Sequence, residues 1–241
     1  MIKELSDFKI HLSSPISLLV EWNFKLSVIH IKSLQVLKNQ LLKKDKDIQY
    51  LTLAFNTLLV KYKNLDIDIL KKENQIKSFI NSFDTKNIEN FKNRQFKIPV
   101  CYEYGLDLKH ISNQTELSKP EIIQLHTEQV YSLFFIGFLP GFLYLGDVDK
   151  RIQVARHQTP RQKVEKGSVG IAENQTGIYP MSSPGGWQII GQTPVELFDV
   201  DQNPPSPFRP GDKIQFYAID QSEFDRLKNT EISIEKFKHN D

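Results

Sequence analysis

The chain has 241 residues, of which 39% are hydrophobic and 25% charged, and its formal net charge is +2. This hydrophobic share is ordinary for a folded protein and excludes an intrinsically disordered chain. A net charge so near zero gives no general affinity for nucleic acid or for a membrane surface. The single cysteine, Cys101, excludes an internal disulfide framework and any cluster of cysteine metal ligands.

No targeting or membrane segment is expected. The first residues mix charged and apolar side chains and lack the apolar centre of a signal peptide. The most apolar stretch, residues 131–146, is interrupted by Pro140 and by glycines. It is also shorter than the roughly 20 residues that a spanning helix needs. These features predict a cytoplasmic protein.

The distribution of glycine, proline and charge divides the chain near residues 92–98. All 11 glycines lie at or after Gly105, and all prolines except Pro15 lie at or after Pro99. Residues 1–98 carry 17 Lys and Arg against 10 Asp and Glu, whereas residues 99–241 carry 14 against 19. Because Gly and Pro mark tight turns, the second part should contain many short strands. We predict an α+β chain with domains at 1–95 and 96–225 and a charged tail at 226–241.

The pattern of the first part predicts a strand, a helix, two strands and a second helix. Asn23 can cap the first helix, and Asp66 or Asp68 can begin the second. Apolar residues recur at spacings of three and four in both helices. This order predicts a small α/β sandwich with helices on one face of the sheet. The strands are predicted at residues 16–21, 48–55 and 58–62, and the helices extend to about residues 41 and 83.

The pattern of the second part predicts a closed or nearly closed β-barrel. It opens with a strand at Lys97–Tyr102, followed by a short helix at Lys119–Gln129 that has Pro120 in its first turn. Short strands separated by Gly and Pro come next. The last strand, Lys213–Ala218, follows the turn Arg209–Asp212.

General catalytic signatures are missing from the sequence. It contains no Walker A loop, no GxGxxG fingerprint, no HExxH motif and no GxSxG elbow. The six histidines are scattered, and no His, Cys or acidic cluster has the spacing of metal ligands. No metal site is therefore predicted, and an ATP site of the P-loop type is excluded.

Three other stretches are distinctive. They are GFLPGFLYL at residues 137–145, TPR followed by GSVGIA at residues 159–172, and QTGIYP with SPGGW and IGQTP at residues 175–194. In this order and spacing they resemble the allophanate hydrolase subunit 1 family. The segment IPVCY at residues 98–102 and the pair His126 and Tyr131 extend the resemblance. It is dense from about residue 98 to residue 218.

The resemblance implies a cyclophilin-like β-barrel as the second domain and work within a complex. The family includes the B subunit of an ATP-dependent 5-oxoprolinase, which cleaves 5-oxo-L-proline to L-glutamate. The implied partners are the C subunit, which is an allophanate hydrolase subunit 2-like protein, and the A subunit, which is of the LamB/YcsF type. ATP, with Mg²⁺, is the implied cofactor, and which of the three proteins binds it stays open.

Two other functions are compatible with the same resemblance. One is a Kip-type inhibitor that binds a sensor histidine kinase. The other is a subunit that acts on another small amide or urea substrate, such as allophanate. The motifs alone do not separate these functions from the 5-oxoprolinase subunit.

Arg161 and His126 are the predicted catalytic residues. The fork of an arginine suits a carboxylate or phosphate. By residue type alone Arg161 is more typical of a surface ion pair, and it is the matched motif that makes it a site residue. His126 lies near the end of a predicted helix. A histidine there can transfer protons near neutral pH, or it can interact with the last helix carbonyls.

The predicted substrate-binding residues lie in the second and third motifs. Gln175, Thr176 and Tyr179 are expected on one short loop, where they either orient a polar ligand or satisfy backbone groups. Gly185 and Gly186 form either a type II turn or a nest of N–H groups for an anion. The complete set is Arg156, Gln175, Thr176, Gly177, Tyr179, Gly185, Gly186 and Trp187.

Overall fold

The structure is a computed structural model that describes residues 3–24, 27–83, 94–230 and 237–239. The chain divides into two compact units, Met1–Lys92 and Asn93–Asp241. Residues 84–93 lie outside the described residues, and they include the first two residues of the predicted boundary at 92–98. Residues 231–236, 240 and 241 of the predicted tail also lie outside them.

In its described residues, the first unit combines a four-stranded antiparallel sheet with two helices. The strand order is β1-β2-β4-β3. The sheet and helices enclose a core that includes Trp22, Leu37 and Tyr62, none of which is exposed to solvent. The elements are β1 (Phe8–Ser14), β2 (Ser17–Trp22), α1 (Val28–Lys44), β3 (Ile48–Ala54), β4 (Thr57–Tyr62) and α2 (Ile69–Asn81).

Two expectations for the first unit need correction. The predicted elements omit strand β1, an edge strand with mostly exposed side chains, although its residues Phe8, Ile10 and Leu12 alternate with polar ones. The predicted cap at Asn23 is wrong. Helix α1 begins at Val28 with Ser27 at the cap position, whereas the Asn23 N–H donates to the Asp7 carbonyl. The cap at Asp68 is confirmed, since its carboxylate accepts from the Lys71 N–H at 3.0 Å.

The second unit contains a closed barrel of seven strands, as predicted. Strand order in the described residues is β12-β9-β10-β7-β6-β13-β5, and pairing of β12 with β5 closes the circle. A short strand β14 adds to the free edge of β5. The barrel strands are β5 (Gln95–Cys101), β6 (Val130–Ile136), β7 (Leu143–Gly146), β9 (Ser168–Ala172), β10 (Gln175–Ile178), β12 (Gln188–Gln192) and β13 (Lys213–Ile219).

Three helices and a two-stranded ribbon accompany the barrel. Helix α4 (Lys119–Glu128) matches the predicted helix and begins with a capping box between Ser118 and Glu121. The ribbon pairs β8 (Arg161–Val164) with β11 (Ser183–Gly185). The remaining elements are α3 (Leu108–Thr115), α5 (Gln221–Lys228) and β14 (Lys238–His239). Among the described residues, no helix has both the length and the hydropathy to cross a membrane.

The second unit has two separate hydrophobic clusters. The larger one includes Val169, Ile171 and Ile178 and fills the barrel. The smaller one is built around Phe142 and Trp187. Because side chains alternate along a strand, one strand can serve both clusters. Because of this alternation, some side chains of the third motif lie in the barrel interior and others lie in the smaller cluster.

Candidate functional site

The smaller cluster assembles aromatic rings from the first and third motif stretches. We define the aromatic cluster as Phe142, Tyr144, Tyr179 and Trp187. The Phe142 ring lies edge-on to Tyr179 at 5.0 Å and to Trp187 at 5.4 Å between ring centroids. Tyr144 completes the group, 5.7 Å from Trp187. Edge-to-face pairs at these separations are favourable, so the cluster forms a rigid wall.

Two glycines of the third motif allow this close packing. A Cβ atom on Gly177 would lie 2.9 Å from the Trp187 ring, and one on Gly185 would lie 2.4 Å from the Tyr179 hydroxyl. Neither Gly185 nor Gly186 has a positive φ, so the predicted type II turn is wrong. Gly185 ends β11 instead, and a side chain there would displace the tyrosine. These glycines therefore shape the cluster by their small size.

Arg156 lies over the exposed side of the cluster. Its guanidinium carbon is 5.7 Å from the centre of the Trp187 ring, which is cation–π geometry. Arg156 is exposed, and no carboxylate of the described residues pairs with it. A guanidinium that stacks on an aromatic ring keeps its in-plane N–H groups available for a carboxylate or phosphate.

Tyr179 is close enough to Arg156 and Arg161 for both charges to act on its hydroxyl. The hydroxyl also accepts from the backbone N–H of Trp187. Burial raises the pKa of this hydroxyl above its ordinary value, although the charges of Arg156 and Arg161 oppose the rise. The phenol is therefore protonated at neutral pH, and its own O–H can donate to a ligand oxygen.

Arg161 is held by a buried carboxylate. Its Nη2 atom donates to Oδ1 of Asp107 at 2.5 Å, and Asp107 is 4% exposed. The other oxygen, Oδ2, accepts from the Ile189 N–H at 2.6 Å. Arg161 is thus not a surface arginine with a loosely attached acid, but part of a fixed pair that joins the start of α3 to β8 and β12.

His157 adds a third polar side chain to this pair. Its Nε2 atom lies 3.4 Å from Oδ2 of Asp107, and its backbone N–H donates to the Gly186 carbonyl at 2.7 Å. Its ring is half-buried and lies 6.2 Å from the ring of His110. We call Asp107, His157 and Arg161 the open polar cluster.

His126 lies elsewhere, inside the barrel, and is not exposed at all. The Tyr102 hydroxyl donates to its Nδ1 at 2.7 Å, and its Nε2–H donates to the Thr176 hydroxyl at 3.0 Å. Thr176 in turn donates to the Gly170 carbonyl at 2.9 Å. This chain fixes the Nε2–H tautomer, since each hydroxyl has one proton to donate. We call Tyr102, His126 and Thr176 the closed polar chain.

Burial lowers the pKa of His126 to about 3, so the ring is neutral at physiological pH. Both ring nitrogens are used by protein groups. This environment favours a role for His126 in holding α4 to the barrel rather than the predicted proton transfer. The same geometry places Thr176 in the barrel interior and not at the aromatic cluster.

Gln175, Thr176 and Gly177 do not lie on a loop, as the sequence predicted. They belong to β10, which pairs with β7 and β9. All three are buried, and only Tyr179 follows the end of the strand. The predicted site residues thus separate into two groups. One group lies in or beside the aromatic cluster and consists of Arg156, Arg161, Gly177, Tyr179, Gly185, Gly186 and Trp187. The other group, His126 and Thr176, lies in the barrel.

Asp107 and His157 are polar residues of the site that the sequence motifs do not single out. An aspartate at the start of a helix is ordinarily interpreted as a cap. The partner of Asp107 lies 54 residues later, and no local pattern connects them. The one feature of the sequence that points to His157 as a site residue is its position next to Arg156.

A groove of about 910 Å³ lies beside α1 and α2 in the first unit, and no predicted site residue lines it. Among the described side chains, no group of three or more His, Cys, Asp or Glu is arranged to hold a metal ion. In the second unit, the charged groups near the aromatic cluster are Arg156 and the open polar cluster, which includes Arg161.

Comparison with known proteins gives the family. The model of the carboxyltransferase domain, subdomain C and D, matches residues 8–208. The chain belongs to this family. The match includes every predicted site residue, and the resemblance found from the motif series is confirmed.

Two curated members of the family are similar in sequence. The B subunit of 5-oxoprolinase from Bacillus subtilis is 45% identical over 137 residues, which cover 56% of this chain and 57% of that protein. The B subunit of 5-oxoprolinase from Haemophilus influenzae is 37% identical over 177 residues, which cover 73% of this chain and 81% of that protein. The chain thus spans little more than half of the first relative and four fifths of the second.

A solved structure supports the family fold. A conserved uncharacterized protein from Pyrococcus horikoshii is 35% identical and superposes with a TM-score of 0.54. The alignment covers 90% of this chain and 100% of that protein. The alignment therefore extends over both units of the chain.

Proposed function

We propose that the chain is the B subunit of an ATP-dependent 5-oxoprolinase that cleaves 5-oxo-L-proline to L-glutamate. It acts in the cytoplasm with two partners, an allophanate hydrolase subunit 2-like protein and a LamB/YcsF-type protein. Its second unit, in this proposal, is a barrel of the cyclophilin-like type. The printed names of the Bacillus and Haemophilus relatives support the assignment to this hydrolase.

The observation that carries the proposal is the pair of arginines beside the aromatic cluster. 5-Oxo-L-proline is a small ring with a carboxylate and a lactam. Arg156 is exposed and lies on Trp187, and Arg161 is fixed by Asp107. Two guanidinium groups match the carboxylate, and the aromatic wall matches the apolar faces of the ring.

The lactam part of the substrate needs a hydrogen-bond donor for its carbonyl. In hydrolysis, water adds to the carbonyl carbon, the bond from this carbon to nitrogen breaks, and the nitrogen takes up a proton. Negative charge develops on the carbonyl oxygen as the water adds. Tyr179 is protonated and lies near both arginines, so its O–H can donate to that oxygen.

ATP is a co-substrate of the proposed complex. This chain has no P-loop, so it offers no nucleotide site of that type. We assign ATP to the complex as a whole and derive no step through it here.

The test is reconstitution of the three proteins with 5-oxo-L-proline and ATP. Glutamate and ADP should form together, and both should depend on this chain. Arg161→Gln should lower kcat/KM at least tenfold, because it removes a charge–charge contact with the substrate. Arg209→Gln is the matched control, since Arg209 is an exposed arginine whose backbone N–H contacts a different aspartate.

The outcomes separate the proposal from its alternatives. Glutamate formation that is independent of this chain contradicts the assignment. Hydrolysis of ATP driven by urea or allophanate, and not by 5-oxo-L-proline, would assign the chain to another amide substrate. An unchanged kcat/KM in Arg161→Gln would leave the assignment standing and remove the aromatic cluster as the substrate site.

A further inference from the structure

Asp107 occupies the cap position of α3 without acting as a cap. Its carboxylate accepts no hydrogen bond from the first turn of that helix. Aspartate at this position ordinarily accepts from the second or third helical N–H, which stabilises the helix by about 1 kcal/mol. Here both oxygens face another part of the fold, toward Arg161 and Ile189. The orientation of Asp107 is therefore not explained by helix capping.

The contacts of Asp107 bring three segments to one point. Its backbone N–H donates to the Ile189 carbonyl at 2.8 Å, and Oδ2 accepts from the Ile189 N–H. Oδ1 fixes Arg161, and Oδ2 is 3.4 Å from Nε2 of His157. The Asp107 side chain is 6% exposed, so water competes little for these contacts. Asp107 thus determines where the side chains of Arg161 and His157 point.

Two buried nitrogen atoms of the open polar cluster make no hydrogen bond within the described part of the chain, although one of them, Nε2 of His157, lies 3.4 Å from Oδ2 of Asp107. Among the described residues, Nη1 of Arg161 and Nε2 of His157 are buried and have no hydrogen-bond partner. A buried donor without a partner destabilises the folded state by about 1–3 kcal/mol. Such donors are expected where a ligand supplies the missing acceptor.

We propose that Asp107 is a positioning residue, which aims Arg161 and His157 at a carboxylate oxygen of the substrate. The proposal rests on the proposed function, because the ligand is the carboxylate of a small amide such as 5-oxo-L-proline. Arg161 Nη1 and the His157 ring donate to this carboxylate, and Arg156 approaches from the side of Trp187.

The first test compares 5-oxo-L-proline with 2-pyrrolidone, which has the same lactam ring and no carboxylate. Calorimetric titration of the assembled complex without nucleotide measures both Kd values. The wild-type complex should bind 5-oxo-L-proline at least tenfold more tightly than 2-pyrrolidone. Asp107→Asn should reduce this ratio to about one, because the two donors lose their fixed direction. A wild-type complex that does not discriminate the two ligands would overturn the proposal.

A double-mutant cycle separates positioning from mere support of the fold. In Asp107→Asn the KM for 5-oxo-L-proline should rise about tenfold while kcat changes less than threefold. Because Asp107 acts through both Arg161 and His157, the KM increase in the variant with both Asp107→Asn and Arg161→Gln should be smaller than the product of the two single effects. Effects that multiply would show that Asp107 acts independently, which contradicts the proposal.

Asp212 provides the matched control. It is also buried, accepts from an arginine, Arg94, and accepts from one backbone N–H, that of Arg209. Asp212→Asn should lower the Tm and leave the ligand ratio and KM unchanged. An equal loss of discrimination in Asp212→Asn would mean that any damage to the barrel has this effect, and would refute a positioning role for Asp107.

His157→Gln keeps the proposal testable if Asp107→Asn does not fold, because His157 is partly exposed. It should reduce the ligand ratio at least threefold, and an unchanged ratio contradicts the shared role of the two donors. The ligand titration also distinguishes this proposal from the proposed function. A complex that discriminates the carboxylate but forms no glutamate would retain the subsite and reject the assigned reaction.

Discussion

The closed polar chain and the open polar cluster show two uses of buried polar groups in one barrel. In the closed chain, Tyr102, His126 and Thr176 donate in sequence and end on a backbone carbonyl. In the open cluster, Arg161 and His157 retain donor atoms without a partner among the described residues. A satisfied chain stabilises a fold, whereas unsatisfied donors at the edge of an aromatic wall are suited to a ligand.

The largest expected effect on stability comes from a substitution that interrupts the closed polar chain. His126→Ala should lower the free energy of unfolding by about 4 kcal/mol, because it creates a cavity and leaves the Tyr102 and Thr176 hydroxyls without their ring partner. Chemical unfolding followed by circular dichroism measures the loss. The folded variant should retain the wild-type KM for 5-oxo-L-proline. A higher KM at unchanged stability would place His126 at the substrate and contradict the comparison.

The closed chain should also make stability depend on pH. Folded His126 has a pKa of about 3, whereas an unfolded histidine has a pKa of about 6.5. As the pH falls below about 6.5, the unfolded chain takes up a proton at His126 and the folded chain does not. The stability that the neutral His126 contributes is therefore complete above this pH and decreases toward pH 3. The expected slope is at most about 1.4 kcal/mol per pH unit.

The matched variant for this slope is His126→Gln, which cannot titrate. The stability difference between wild type and His126→Gln should shrink as the pH falls from about 6.5 to about 4.5, since only the wild type loses this contribution. Unfolding curves at several pH values measure the difference. A difference that is constant with pH would show that the folded ring is accessible to protons.

A smaller effect is expected at Arg156, which lies over the aromatic cluster. Arg156→Gln should raise the KM for 5-oxo-L-proline about tenfold, or about 1.4 kcal/mol, through loss of one charge at the carboxylate. Its Tm should change little because the side chain is exposed. The control is Arg151→Gln, an exposed arginine paired with Asp149. Equal KM values for the two variants would exclude Arg156 from the substrate site.

The smallest effect is expected for the hydroxyl of Tyr179. Tyr179→Phe should lower kcat more than it raises KM, by about threefold to tenfold, because the developing charge on the lactam oxygen loses one donor. Tyr217→Phe, on β13, is the control in the same unit. A change in KM alone would place the hydroxyl at the ground-state ligand and not at the reacting carbonyl.

Most of the barrel is predictable because glycine and proline mark its turns. The helix at residues 119–128 follows from Pro120 and its cap, and the last strand follows from the turn before it. Strand β1 is not among the predicted elements, although Phe8, Ile10 and Leu12 alternate with polar residues as in a strand. Its position depends on pairing with β2, which is a property of the folded sheet.

The site is predictable only in part. The motif resemblance selects Arg156, Arg161, Tyr179 and Trp187, which the fold brings together. It also selects His126, whose burial depends on Tyr102 and Thr176 from distant parts of the chain. The role of Asp107 is hidden for the same reason. Long-range pairing decides whether a polar residue is satisfied, and this cannot be derived from one sequence.

The most direct test measures fold stability and carboxylate preference in the same two variants. In the reconstituted complex, His126→Gln should lower the Tm and retain the preference for 5-oxo-L-proline over 2-pyrrolidone. Asp107→Asn should lose that preference. Loss of Tm in one variant and loss of carboxylate preference in the other would confirm that the closed polar chain stabilises the fold and that the open polar cluster binds the substrate. Loss of carboxylate preference in both variants, or in neither, would contradict these two roles.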